Sequence, residues 1–265
     1  MARPYLPQKD QYNVKELQEQ ERQLMQAVES IFSIACKQNI TLRLTGSLAI
    51  RLKASEFKYI EYENNRWLND IDLVVYDRDI LKVQKLMTDI GWIENQGVLR
   101  LFGDKRRIFD HPSEDLHADV FINKLIFCHT IDLRGKLEHC ESTIDLIYLL
   151  LGKLQIVEIN RKDLIDALLL LRSFNLNDQL DIDQLVRFCS RDWGWWRTVT
   201  MNLEKLDSFI EECLSRDNDR KDVKNKINLI REKIAAQPKS LGWKLRSKIG
   251  DRIKWYNDVE EVQRV

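Results

Sequence analysis

At 265 residues the chain is long enough for one or two domains with a sizeable core. Charged residues make up 32% against 44% hydrophobic, which excludes a disordered polymer. The 42 basic and 42 acidic residues cancel, and the N-terminus has no long apolar run, so neither a signal peptide nor a membrane span is expected.

The five cysteines, Cys36, Cys128, Cys140, Cys189 and Cys213, are odd in number and widely spaced. A reduced, cytoplasmic protein is the simpler expectation. Cys128-His129 and His139-Cys140 form a mirrored pair, but their spacing matches no common closed zinc motif.

Residues 13–38 carry Val14, Leu17, Leu24, Val28, Ile31, Phe32 and Ala35 near helical spacing, which predicts an amphipathic helix covering a sheet. A short apolar strand from Leu42 then runs into Gly46-Ser47 and a helix. Such a turn offers backbone N–H groups and a hydroxyl to a phosphate. Residues 57–69 are too polar for core and read as a loop with short structure. Arg66 within it would either pair with a phosphate or brace Asp70.

The next strand carries Asp70 and Asp72. Residues two apart on a strand face the same way, so the two carboxylates project together while Ile71, Leu73 and Val75 enter the core. Two such carboxylates repel unless a cation sits between them, and Mg²⁺ suits that arrangement, with Mn²⁺ as its substitute. A helix over 78–90 stops at Gly91. Alternating runs at 98–102 and 107–109 predict strands leading to a longer one, Leu116–Ile122, and to another over 125–131. Asp119 would join Asp70 and Asp72 if its strand lies beside theirs, and would hold a second ion roughly 3.5–4 Å from the first. His117 shares the Asp119 face and reads as structural, the alternative being a group that binds substrate or steadies a carboxylate. The turn around Pro112, with Asp110, His111, Glu114 and Asp115, carries no assigned chemistry.

From residue 143 the pattern is helical. Lys153 lies in line with Leu146, Leu150 and Val157 on an otherwise apolar helix, so it either snorkels to water or meets an anion. A second helix over 161–172 places Asp163 and Asp166 on one face. Asp163 there either complements the helix dipole or positions a substrate. Asp181-Ile182-Asp183 repeats the acidic motif without a preceding Gly-Ser and reads as a helix N-cap. Trp193, Trp195 and Trp196 read as a packing corner, the alternative being base stacking. Residues 216–254 hold 13 basic and 5 acidic residues, a net of +8, which suits either an RNA backbone or a solvated helical face.

Taken together, Gly46-Ser47, Asp70-x-Asp72 and a strand-borne Asp119 resemble the nucleotidyltransferase superfamily that includes the polymerase-beta-like enzymes. More narrowly, Gly46-Ser47-Leu48-Ala49, then Arg66-x-x-Asn69-Asp70-Ile71-Asp72, is similar to the abortive-infection and toxin-type nucleotidyltransferases of prokaryotes. Lys153-Leu154 and Arg161 to Asp166 are similar to that group's downstream lysine and aspartate motif. The resemblance covers roughly residues 40 to 172 and implies an α+β fold, a nucleotidyltransferase-like mixed sheet with helices over 1–140, followed by a C-terminal helical region over 141–265. It further implies transfer of a nucleoside monophosphate from an NTP to a hydroxyl, with RNA or tRNA favoured over a protein or small-molecule acceptor. Asp70, Asp72 and Asp119 would be catalytic and hold the metal, while Gly46, Ser47, Arg66, Lys153 and Asp163 would bind the nucleotide. The alternative is a nucleotide- or RNA-binding protein that does not turn over.

Overall fold

The computed structural model describes residues 11–113, 115–138 and 142–259. Glu114, His139 and Cys140 lie outside them. The first helix, α1 (Val14–Lys37), begins at a reciprocal cap between Asn13 and Glu16 and buries Leu17, Leu24, Val28, Ile31 and Ala35. After it come β1 (Leu42–Thr45), α2 (Gly46–Lys53), α3 (Tyr59–Glu63) and β2 (Ile71–Val75). The chain continues through α4 (Ile80–Asp89), β3 (Ile93–Glu94), α5 (Gln96–Phe102), β4 (Arg106–His111) and β5 (Leu116–Ile122). A hairpin, β6 (Lys124–Ile126) and β7 (Thr130–Asp132), closes the strand-rich half. Helices then take over: α6 (Leu146–Leu154), α7 (Arg161–Ser173), α8 (Ile182–Arg191), α9 (Trp193–Cys213), α10 (Asp217–Ala236) and α11 (Leu241–Ser247).

The fold is α+β. Its five-stranded sheet has the order β1-β2-β5-β4-β3, with β2 and β5 parallel and the other neighbours antiparallel. Such a mixed sheet, with helices packed on it and a helical C-terminal half, matches the expected class. Most of the buried apolar residues from Leu24 to Ile234 form one continuous cluster. Residues 142–144 are stitched to the sheet: Leu44 donates to the Ser142 carbonyl at 2.7 Å, and Ile144 donates back to Leu44 at 3.0 Å.

Three local expectations differ. Residues 98–102 are helical, because Asn95 accepts from the N–H groups of Gly97 and Val98 and starts α5. Over seven residues, apolar alternation and a helical face are hard to tell apart. The stretch 125–131 is a hairpin rather than a single strand.

The polar stretch 57–69 is more ordered than a loop. It contains α3, whose Glu61 pairs at 2.5 Å with Arg51, both side chains fully buried. Arg51 also donates to the Arg66 carbonyl at 2.6 Å, so this pair sets the path of the Arg66 segment. Burial pushes the Glu61 carboxyl up to about 7 against the pull of Arg51. The polar stretch thus hid a core charge, Glu61, paired with Arg51 of α2.

Candidate active site

The parallel pairing of β2 and β5 puts Asp72 directly beside Asp119 in register, and the antiparallel pairing with β1 puts Thr45 on the other side of Asp72. Strand partners point to the same face, so two carboxylates lie next to one another at the point where β1 turns into α2. Asp70 comes one residue before β2 begins and adds its charge to the pair. Burial first, then the charges of Asp119 and Asp70, push the Asp72 carboxyl up to about 8, against the pull of Lys153 and Arg106. The expected strand juxtaposition is therefore present.

Gly46 is required at the turn for two reasons. Its φ is +68°, a conformation that side chains disfavour, and a Cβ there would collide with Oδ2 of Asp72. The backbone of the turn and the carboxylate are in direct contact because no side chain separates them. Gly46 opens α2, whose first N–H groups have no intrahelical acceptor.

Oxygen ligands from Asp70 and Asp72, completed by phosphate oxygens, fit a hard cation such as Mg²⁺. Among the described residues, no group of three or more His, Cys, Asp or Glu side chains is close enough to form a metal centre by itself. Asp119 is engaged by Arg106, which pairs with its Oδ2 at 2.5 Å and lies 5.3 Å from the centre of the Phe121 ring. Arg106 thus occupies one of the Asp119 oxygens.

Behind the turn lies a second charged centre. Asp166 of α7 is fully buried and accepts from Nε of Arg66 at 2.9 Å, from the same guanidinium again at 3.0 Å, and from Ser47 at 2.7 Å. Lys153 of α6 pairs with Asp166 at 2.9 Å and Asp163 at 2.7 Å, and donates to Ser47 Oγ at 3.1 Å. Arg66 also donates to Ser47 Oγ, at 2.6 Å. Burial alone would raise the Asp166 carboxyl and lower the Lys153 ammonium. The attraction between them, with Arg66 adding to it at Asp166, wins and holds each firmly in its charged form.

Of the sequence candidates, Gly46, Asp70, Asp72 and Asp119 meet at one end of the β1, β2 and β5 strands, and Lys153 and Asp163 join them from the helices. Arg66 and Ser47 are present but turn inward. Arg66 braces Asp166, which is neither of the two partners expected for it, and the Ser47 hydroxyl is committed to the same network. The anion that Lys153 meets is the protein's own carboxylate pair. Asp166 stood in the expected motif without a role, yet it is the hub. Its signal was available: with Asp163, Ala167 and Leu170 it shares a helix face otherwise made of core. Arg106 gave no signal, because only the pairing of β4 with β5 brings it to Asp119. Lys162 is also new; burial and the charge of Arg66 lower its ammonium, and it lies within the field of Asp70.

A cavity of about 480 Å³ opens at this point, with Gly46, Asp72, Lys153 and Asp163 on its polar wall and Phe121 and Tyr148 on its apolar one. Phe121 lies two residues beyond Asp119 on the same face of β5. The cavity is in the size range of small-molecule and cofactor sites.

The remaining expectations resolve structurally. Among the described residues Cys36, Cys128, Cys189 and Cys213 are free thiols. His129 bonds through Nε2 to Thr198 at 2.8 Å and stacks on Trp195, so it belongs to packing. His117 meets Asp110 at 2.5 Å. Asp181 caps α8 by accepting from Gln184. The tryptophans form a packing corner in which Trp193 and Trp196 contact each other, Trp255 and Trp243. Much of the basic surplus is internally paired: Arg231 with Asp207, Lys226 with Asp222, and Arg220 with Glu211. Lys244, Lys248 and Arg252 stay exposed. Among the described residues no helix is long and apolar enough to cross a membrane.

No protein-family model matches the chain, and no curated protein does. Among solved structures, it is similar to the STING-associated CdnE c-di-GMP synthase from Capnocytophaga granulosa, at 13% identity and a TM-score of 0.30, over 82% of this chain and 81% of that one. A likeness at that level is too distant to transfer chemistry, which must come from the residues themselves.

Proposed function

We propose that the protein is a metal-dependent nucleotidyltransferase that moves a nucleoside monophosphate from an NTP to a hydroxyl and releases pyrophosphate. The observation that carries this reading is the adjacency of Asp72 and Asp119 across parallel strands, with Asp72 in contact with the bare Gly46 turn and on the wall of a nucleotide-sized cavity. A scaffold has no need to set carboxylates side by side at a cost in ionisation energy; a site that receives a cation and a polyphosphate does.

In this reading Asp70 and Asp72 hold Mg²⁺, with Mn²⁺ as a substitute, and the ion supplies charge neutralisation at the phosphates. The α2 amides after Gly46 and the Lys153 ammonium face the triphosphate, and Asp163 positions Lys153. The acceptor oxygen forms the new bond to the α-phosphorus as the bond to pyrophosphate breaks, and the hydroxyl proton passes to Asp119. Arg106 balances the Asp119 charge before substrate arrives. The exposed Lys244, Lys248 and Arg252 favour RNA or tRNA as acceptor over a protein or small molecule.

The engagement of Ser47 and Lys153 by Asp166 favours a second reading, a nucleotide- or RNA-binding protein without turnover. One experiment separates them: label transfer from each α-labelled NTP, with Mg²⁺ or Mn²⁺, into total RNA and into protein, beside Asp72→Asn. Label that disappears in the variant establishes the transferase and names the acceptor. Transfer that persists in Asp72→Asn would refute the proposed site. Metal-dependent NTP binding without transfer or pyrophosphate release would support the binding protein.

A further inference from the structure

The cavity lining is of two kinds. Polyphosphate chemistry accounts for Gly46, Asp72, Lys153 and Asp163, but not for the aromatic remainder, where Phe121, Phe127 and Tyr148 are joined by Tyr256. Aromatic rings in the same cavity as anion-binding groups call for a ligand with a flat apolar part and a charged part.

Tyr256 is the unexpected member. It arrives from the far end of the chain, past α11, and its neighbours are tightly fixed. Trp255 donates from Nε1 to the Thr198 hydroxyl at 3.1 Å and packs edge-on against Trp193. The Asn257 N–H donates to the Cys128 carbonyl at 3.0 Å, tying the segment to the β6–β7 hairpin. At Gly194 a Cβ would come within 2.9 Å of the Trp255 carbonyl, so the close approach of the segment to α9 depends on glycine there. Residues 255 and 257 are thus anchored on two different elements, and Tyr256 between them lines the cavity. The Lys254 ammonium, 4.9 Å from the centre of the Tyr256 ring, adds a cation–π contact. An aromatic ring held this way loses little freedom on binding, which is what a stacking platform needs.

We propose that the anchored segment 255–257 forms the nucleoside-binding wall of the cleft, with Tyr256 stacking on the base of the bound nucleotide. The proposal rests on the nucleotidyltransferase reading above and adds the element that recognises the nucleoside. It also gives the tryptophan corner a purpose, since Trp193 and the Thr198 of α9 are the anchor points of the platform. The competing role is that residues 256–259 fill the cleft and keep ligand out.

The test is calorimetric titration of the full-length protein, with Mg²⁺, by the four NTPs and by tripolyphosphate. It compares wild type with Tyr256→Ala, Tyr256→Phe and Tyr256→Leu, the last keeping apolar bulk if alanine loosens the segment. Tyr256→Ala and Tyr256→Leu are expected to weaken NTP binding about tenfold or more, to leave tripolyphosphate binding unchanged, and to be rescued by Tyr256→Phe. Wild-type NTP binding that both variants leave unchanged would overturn the stacking role alone. Tighter NTP binding by Tyr256→Ala would overturn it in favour of a blocking segment. A wild type that binds neither NTP nor tripolyphosphate would overturn the function proposed above, and this wall with it.

Discussion

Asp166 shows how a single buried charge can organise a site without facing its ligand. Its carboxylate receives Arg66, Lys153 and Ser47, three side chains that the sequence points at substrate. Lys153 is half of that arrangement: held by Asp163 and Asp166, it stays charged at the cavity wall instead of losing its proton to burial. Removing the Asp166 charge leaves the buried Arg66 guanidinium without its carboxylate and Lys153 with Asp163 alone, which costs far more than losing an exposed pair would. Asp166→Asn is expected to lower unfolding free energy by about 3–5 kcal/mol, read from urea midpoints. Because the Asp166 carboxyl lies well below its usual range, its contribution is complete above pH 3.8 and is lost only as acid titrates it. The wild type should therefore lose a component of acid stability that the variant never had.

At the scale of elements, the β6–β7 hairpin and α9 meet through His129. Its ring is 7% exposed, stacked 4.7 Å from Trp195, and bonded to Thr198, the residue that also anchors Trp255. Burial pushes the imidazole from 6.5 down to about 4, with Asp192 opposing. The folded chain keeps this histidine neutral while the unfolded chain protonates it near 6.5, so stability is complete above that pH and falls between 6.5 and 4. The loss approaches about 3 kcal/mol at the low end. Urea unfolding at pH 7.5 and pH 5 should show this slope in the wild type and a shallower one in His129→Leu. Equal slopes would mean that the histidine does not titrate differently in the two states.

For the molecule as a whole, one core spans both the strand-rich and helical halves. The α6 and α7 helices pack on α2, so the cavity wall is shared by residues about a hundred positions apart. A continuous core predicts concerted unfolding. The thiols can report it: Cys128, Cys189 and Cys213 are buried, and burial pushes the last two up to about 12, whereas Cys36 is exposed. At pH 8 a thiol reagent should modify Cys36 quickly. The three buried thiols should react together, at a rate that rises with denaturant in step with the loss of helical signal. Early, separate reaction of Cys213 would instead reveal that the helical half opens by itself.

The sequence by itself determined the parts of this protein that depend on local periodicity and residue chemistry. The α1 stripe, the apolar strand that carries Asp72, the Gly46 turn, the Asp181 cap and the α6–α7 helices follow from spacing, because each is decided within one or two turns or strand pleats. The side-by-side placement of Asp72 and Asp119 was readable only as a condition, since strand order is a long-range choice. Tertiary structure alone decided the rest. Arg106 reaches Asp119 through strand pairing, Arg66 and Ser47 turn toward a buried aspartate 100 or more residues away, and Tyr256 enters the cavity on a segment anchored by Trp255. These partnerships are set by which charges and rings the packed core leaves within reach of each other. A charge excluded from water must be paired by whatever counter-charge the fold supplies, and that identity is not encoded in its neighbours along the chain.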